Sequence, residues 1–355
     1  MALARQRVAV VLFNLGGPDR LSSVQPFLFN LFRDPAILQA PAAVRYPLAA
    51  LISTLRGPSA RANYAHMGGA SPLLAQTRAQ AKALETVLVE RRPDADVRVF
   101  VAMRYWRPFT EETAAEVEAF EPHEIVLLPL YPQYSTTTTA SSLAAWSDAY
   151  LGEARQRAVC CYPAEAGLVS AHAARIQSAW EAAGKPANVR LLFSAHGLPE
   201  RCIEAGDPYQ QQVEQTCRSV LAALDTEWDW RICYQSRVGP MKWLGPTTPE
   251  AISEACCDGM GVLIAPIAFV SEHVETLVEL DRDYARLAQA AGCKVYLRAA
   301  AVGTEPGFIA GLADMVESAL IRRGIEPEGV ACDPGCVACP WRAMERSLAQ
   351  AEEAA

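Results

Sequence analysis

The chain has 355 residues, 51% of them hydrophobic and 20% charged, with a formal net charge of −8. Such a composition excludes a disordered or fibrous chain, and the length predicts about two domains rather than one core. An acidic balance without a clustered run of Lys and Arg excludes nucleic acid as a partner, because phosphate binding draws on such clusters.

The opening stretch, "MALARQRVAVVLFNLGGPD", holds an apolar run of about six residues before Asn14, too short for a membrane span and without a signal-peptide cleavage pattern. No other stretch approaches the ~20 apolar residues that a spanning helix needs. The expectation is a soluble, cytoplasmic protein, with peripheral docking at the inner membrane face still compatible. Eleven cysteines without an export signal read as reduced thiols, with metal binding as the exception.

In chain order, short β-rich apolar runs occur at 8–15, 97–103, 124–130, 189–195, 230–235, 261–269 and 294–300. Between them lie segments of helical period, among them 71–91, 110–120, 164–183 and 272–291. Runs that are apolar almost throughout imply strands covered on both faces, so the fold class is α/β with parallel sheets flanked by helices. "LFNLGGP" (12–18) and "LFSAHGLP" (192–199) are alike, which suggests two similar halves. The expected divisions are an N-terminal α/β half at 1–165, a C-terminal α/β half at 166–325, and a Cys-rich extension with a helix at 326–355.

In open parallel sheets ligands bind beyond the carboxyl ends of the strands. "VRLLFSAHGLPERC" (189–202) places His196 at such an end. "AFVSEHVETL" (268–277) does the same for Glu275, with Ser271 as the expected N-cap of the following helix. Glu272, Glu275 and Glu279 form an acidic stripe at spacings of three and four. An acidic helix face is ordinarily just solvated and a single histidine ordinarily structural; the coincidence at strand exits is what favours a site. His273 is expected on the side of the helix opposite Glu275. Arg104, Tyr131 and Trp243, at other strand exits, suit an acidic or flat apolar ligand, against a plainer reading as loop and core packing. No nucleotide-binding motif and no hydrolase elbow occurs. Cys332, Cys336 and Cys339 stand as C-x3-C-x2-C, a spacing suited to an iron–sulfur cluster or zinc with one further ligand.

"LFNLGGPD", "LYPQYSTTTTASS", "SAHGLPERCIEAGDPY", "YQSRVGPMKWLGPTT" and "PIAFVSEHVETLVELD" together closely resemble the ferrochelatases, over most of the chain. The resemblance implies two Rossmann-like halves around an active-site cleft. It also implies a lyase that inserts Fe²⁺ into protoporphyrin IX in the final step of haem synthesis, with no nucleotide. The alternatives are a chelatase for coproporphyrin III or another metal and tetrapyrrole, or a non-catalytic haem or iron–sulfur protein. By the same resemblance His196 and Glu275 are catalytic and meet the Fe²⁺ substrate, Glu272 and Glu279 lie on a path for protons or metal, and Tyr64, Ser71, Arg104, Tyr131 and Trp243 bind the porphyrin. A [2Fe–2S] cluster would use Cys332, Cys336, Cys339 and a fourth thiol. Relatives often keep that thiol where this chain has Thr136, so Cys160 or Cys161 is expected to supply it. If their run is extended, these neighbours face opposite ways and only one can reach. The oligomeric state is not legible.

Overall fold

The structure, a computed structural model, describes residues 5–237, 239 and 241–321 and the backbone of 325–326. The expected Cys-rich extension at 326–355 lies essentially outside the described residues. The chain divides into two compact units. The first holds the chain up to Leu130, Thr136–Val159 and the segment that begins at Val316; the second holds Tyr131–Ser135 and Cys160–Met315.

In the first unit, β1 (Gln6–Asn14), β2 (Ala95–Met103), β3 (Glu124–Pro129) and β4 (Arg155–Val159) stand in the order β2-β1-β3-β4, with parallel pairing throughout. Central β1 pairs on both sides, Val8 with Val97 and with Glu124, so its apolar run from Val8 to Phe13 is buried. Parallel neighbours need crossovers, and helices supply them. The helix Leu73–Arg91 buries Leu73, Thr77, Ala81, Leu84 and Leu88, recurring at three and four, the stripe that a sheet-packed helix requires. The sequence reading has no strand at β4. That strand opens with exposed Arg155 and Gln156 and half-buried Arg157, so the apolar continuity that betrays a central strand is missing.

In the second unit, β5 (Val189–His196), β6 (Trp230–Gln235), β7 (Gly261–Pro266) and β8 (Tyr296–Arg298) repeat the same order as β6-β5-β7-β8, again parallel. Strand alternation then sorts β5 between two layers. Leu191, Phe193 and Ala195 pack with Val169, Ile176, Val213 and Val220, from the helices Ala166–Ala182 and Tyr209–Ala222. Leu192 packs on the other face with Ile252, Leu280 and Tyr284, from the helix Thr248–Cys257 and a π-helix at Glu275–Tyr284. Each fully buried Leu, Ile or Phe contributes about 1.5–3 kcal/mol, so this double burial fixes the register of β5. By parity Ser194 and His196 share the face of Leu192, the face that carries the π-helix.

The fold is therefore α/β, two halves of matching strand order with helices on both faces of each parallel sheet. Among the described residues no helix is long and apolar enough to cross a membrane.

Candidate active site

His196 is the last residue of β5, where the buried strand ends, and its side chain is 38% exposed. Its Nδ1 lies 2.7 Å from Glu275 Oε2, and as an N–H it donates to that carboxylate. Burial disfavours the imidazolium, yet the carboxylate beside it prevails and the His196 pKa is raised. Burial would likewise raise the Glu275 carboxyl, but His196 and then His273 hold it well below the usual carboxylate range. The pair couples a part-exposed imidazole to a carboxylate at a strand exit.

Two sequence expectations about this segment need correction. Ser271 does not cap the helix: the N-cap is Val274, without a side-chain hydrogen bond, and Glu275 opens a π-helix. Nor does His273 lie away from Glu275, because His273 Nε2 is 3.8 Å from Glu275 Oε2. Residues 271–273 precede the helix, so a helical wheel does not describe them. His273 is buried, with its ring 4.7 Å from that of Phe269 and its backbone N–H donating to Thr276 Oγ1 at 3.0 Å.

The three acids of the expected stripe have separate partners. Glu272 Oε1 accepts from Arg298 Nη1 and from the Ala301 N–H at 2.8 Å. Burial works against its charge, but Arg298 lowers its pKa. Arg298 also grips Asp281 through Nε at 2.6 Å and Nη2 at 2.7 Å. Glu279 accepts from four donors: the Ser236 N–H at 3.0 Å, Ser236 Oγ, Tyr284 OH at 2.7 Å and Gln235 Nε2 at 3.1 Å. Gln235, Ser236 and Arg298 carry no signal in the sequence as site residues, since their contacts with these acids are made across 17 to 44 residues.

Of the expected porphyrin residues, Trp243 comes close to His196 along the chain fold. Trp243 bridges Pro199, and a Cβ on Gly197 would meet Trp243 Cε3 at 3.4 Å and the Gln235 carbonyl at 3.0 Å. The space beside Gly197 is thus filled by the protein itself rather than kept for a ligand. Tyr131 follows β3 and belongs to the second unit. In the first unit, Tyr64 is buried in the helix Ala42–His66, and Ser71 presses on Gly17, whose Cβ would fall 2.5 Å from Ser71 Oγ. Arg104 follows β2; its Nη2 pairs with buried Asp34 at 2.6 Å and its Nε donates to Ser141 Oγ at 2.7 Å.

Cys332, Cys336 and Cys339 lie outside the described residues. Cys160 and Cys161 are buried just past the end of β4 with their sulfurs 3.5 Å apart, and Gln212 Nε2 donates to Cys161 Sγ at 3.4 Å. The expectation of opposite faces does not hold, because the strand ends at Val159 and strict alternation ends with it. Among the described residues no group of three or more His, Cys, Asp or Glu is placed to hold a metal ion.

Comparison with known proteins agrees with this architecture. SirB from Bacillus subtilis, solved with Fe³⁺, superposes with a TM-score of 0.53 at 13% identity, covering 88% of this chain and 95% of that one, a likeness of fold alone. The protein named ferrochelatase in Caulobacter vibrioides is 59% identical over 339 residues, 95% of each chain. That of Phenylobacterium zucineum is 60% identical over 323 residues, covering 91% of this chain and 94% of the relative. The ferrochelatase family model matches residues 7–320, and the chain belongs to the ferrochelatase family.

Proposed function

We propose that the His196–Glu275 pair is where this ferrochelatase receives Fe²⁺ and takes up the porphyrin protons. The family's reaction is a lyase's metal chelation, in which Fe²⁺ enters protoporphyrin IX to give protohaem. Two pyrrole N–H protons must leave and the ion must shed water. A tight, partly apolar pocket that bends the planar ring would expose its nitrogen lone pairs. The observation that carries the reading is the 2.7 Å contact between Glu275 and an imidazole still open to a ligand. The carboxylate strengthens His196 as a base and stabilises the cation formed when it takes a proton. His196 and Glu275 also offer the nitrogen and oxygen donors that suit ferrous iron.

In this reading Glu272 and Glu279 flank the pair on a path for protons or metal, Glu272 paired with Arg298 and Glu279 hydrogen-bonded by Ser236, Tyr284 and Gln235. By the family resemblance Tyr64, Ser71, Arg104, Tyr131 and Trp243 contact the porphyrin. The test is anaerobic steady-state assay of Fe²⁺ with protoporphyrin IX and coproporphyrin III in parallel. Faster turnover of coproporphyrin III would overturn the protoporphyrin assignment, and haem binding without turnover would overturn catalysis.

The [2Fe–2S] cluster is proposed at Cys332, Cys336, Cys339 and one of Cys160 or Cys161. The buried thiol pair beside Gln212 fits a thiolate donor set, and when bound the cluster would supply iron held by sulfur with no role in the proton steps above. Exchanging Cys160 and Cys161 singly for Ser should bleach the visible absorption in one variant only. Colour in both, or stoichiometric zinc without sulfide, would refute it.

We also propose a cytoplasmic protein with peripheral membrane contact; for the membrane contact alone, Val44, Leu48, Leu51 and Leu55 offer an exposed stripe on the helix Ala42–His66. Sedimentation with lipid vesicles should fall in a Leu51→Ser, Leu55→Ser variant.

A further inference from the structure

Gln235, the last residue of β6, is 1% exposed and stands opposite His196 in the sheet register. Both ends of its amide are used. Oε1 accepts from Ser194 Oγ at 2.7 Å, while Nε2 donates to the Glu275 carbonyl at 2.8 Å and to Glu279 Oε2 at 3.1 Å. Ser194 Oγ lies in turn 2.9 Å from Thr248 Oγ1. A buried amide satisfied at each end is held rigidly, because every displacement would strand a polar group away from water. One side chain therefore joins the strand that carries His196, through Ser194, to the first turn of the π-helix that carries Glu275.

π-helical turns are uncommon and recur at functional sites. Here the Glu275 carbonyl accepts a hydrogen bond from Gln235, outside the helix. Glu279, whose oxygens take Ser236, Tyr284 and Gln235 together, anchors the same amide one turn further on.

We propose that Gln235 is a positioning residue for metal insertion: its amide fixes the backbone of Glu275 so that the carboxylate meets His196. This rests on the reading of His196 and Glu275 as the reacting pair. Gln235 itself touches neither substrate.

The test is a double-mutant cycle in single-turnover and steady-state assays. Gln235→Met conserves volume and removes the amide, while Ser194 keeps Thr248 and Glu279 keeps Ser236 and Tyr284. It should lower kcat roughly ten- to a hundredfold, the cost of a small misplacement at a reacting group, and leave the porphyrin Kd within about twofold. In a Glu275→Gln background it should add nothing, because it acts through that carboxylate. Wild-type kcat in folded Gln235→Met overturns the proposal. So does a parallel loss of porphyrin affinity and turnover, or a full further loss in the double variant. Wild-type turnover in Glu275→Gln alone would instead sink the underlying pair, and this proposal with it. Should Gln235→Met fail to fold, Gln235→Leu, which likewise lacks the N–H donors and carries no charge, is judged on the same outcomes.

Discussion

His273 Nε2 stands 3.8 Å from Glu275 Oε2, the same oxygen that His196 approaches to 2.7 Å, so one carboxylate lies between two imidazoles. The shorter contact is a hydrogen bond and the longer one lies beyond hydrogen-bond reach, which ranks the two histidines. His273→Ala should reduce turnover by about tenfold, a smaller effect than the loss of His196. Metalloporphyrin formation checks the ranking; equal losses would show it wrong.

His196 belongs to neither packing layer of its sheet, so His196→Ala should keep the far-ultraviolet dichroism and melting behaviour of the parent. Its turnover should fall at least about a hundredfold, the usual cost of losing a positioned acid–base group. Glu275→Gln should lose turnover comparably while porphyrin fluorescence titration gives a nearly unchanged Kd. Unfolding of His196→Ala, or a matched loss of porphyrin affinity in Glu275→Gln, would return these residues to a structural role.

Burial lowers the His172 pKa to about 4, and its Nε2 has no hydrogen-bond partner among the described residues. The unfolded chain takes up this proton near the ordinary 6.5, while the folded chain resists it down to about 4. Between those values the unfolded state binds more protons, so stability falls as the pH falls, by at most roughly 3 kcal/mol. His172→Leu should flatten the dependence of the urea midpoint between pH 6.5 and 4. An unchanged slope would exclude His172 as the source.

Asp34 Oδ2 accepts from Arg104 Nη2 at 2.6 Å, Ser141 Oγ at 2.7 Å and Tyr105 OH at 2.9 Å. Burial and then the Asp34 charge push the Tyr105 phenol well up, so it remains a donor. Asp34→Ala strands a guanidinium and two hydroxyls, and should cost roughly 3 kcal/mol in urea unfolding. Porphyrin affinity should drop as Arg104 loses its orientation. Loss of neither would mean that the network is dispensable.

The strands were legible because central parallel strands are apolar almost throughout: β1, β3, β5 and β7 stand out as unbroken buried runs. His196 and Glu275 were legible as well, one as a polar break at the end of such a run and the other as an acid just beyond the next. By contrast β4, which opens on Arg155, Gln156 and Arg157, had no pattern to show.

By itself, then, the sequence determined the fold class, the strand exits and the residue types gathered there, since these follow from local burial and chain order. Tertiary structure alone decided who pairs with whom. His273 turned toward Glu275 because the chain enters the helix late and in a π-turn, which no helical period foretells. Gln235 became the tie between β6 and Glu275 because β5 and β6 lie in register, a relation between residues about forty apart that no local pattern encodes. Arg104 was drawn to Asp34, seventy residues earlier in the chain, for the same reason: a buried charge takes the partner that folding brings to it, wherever that partner lies in the sequence.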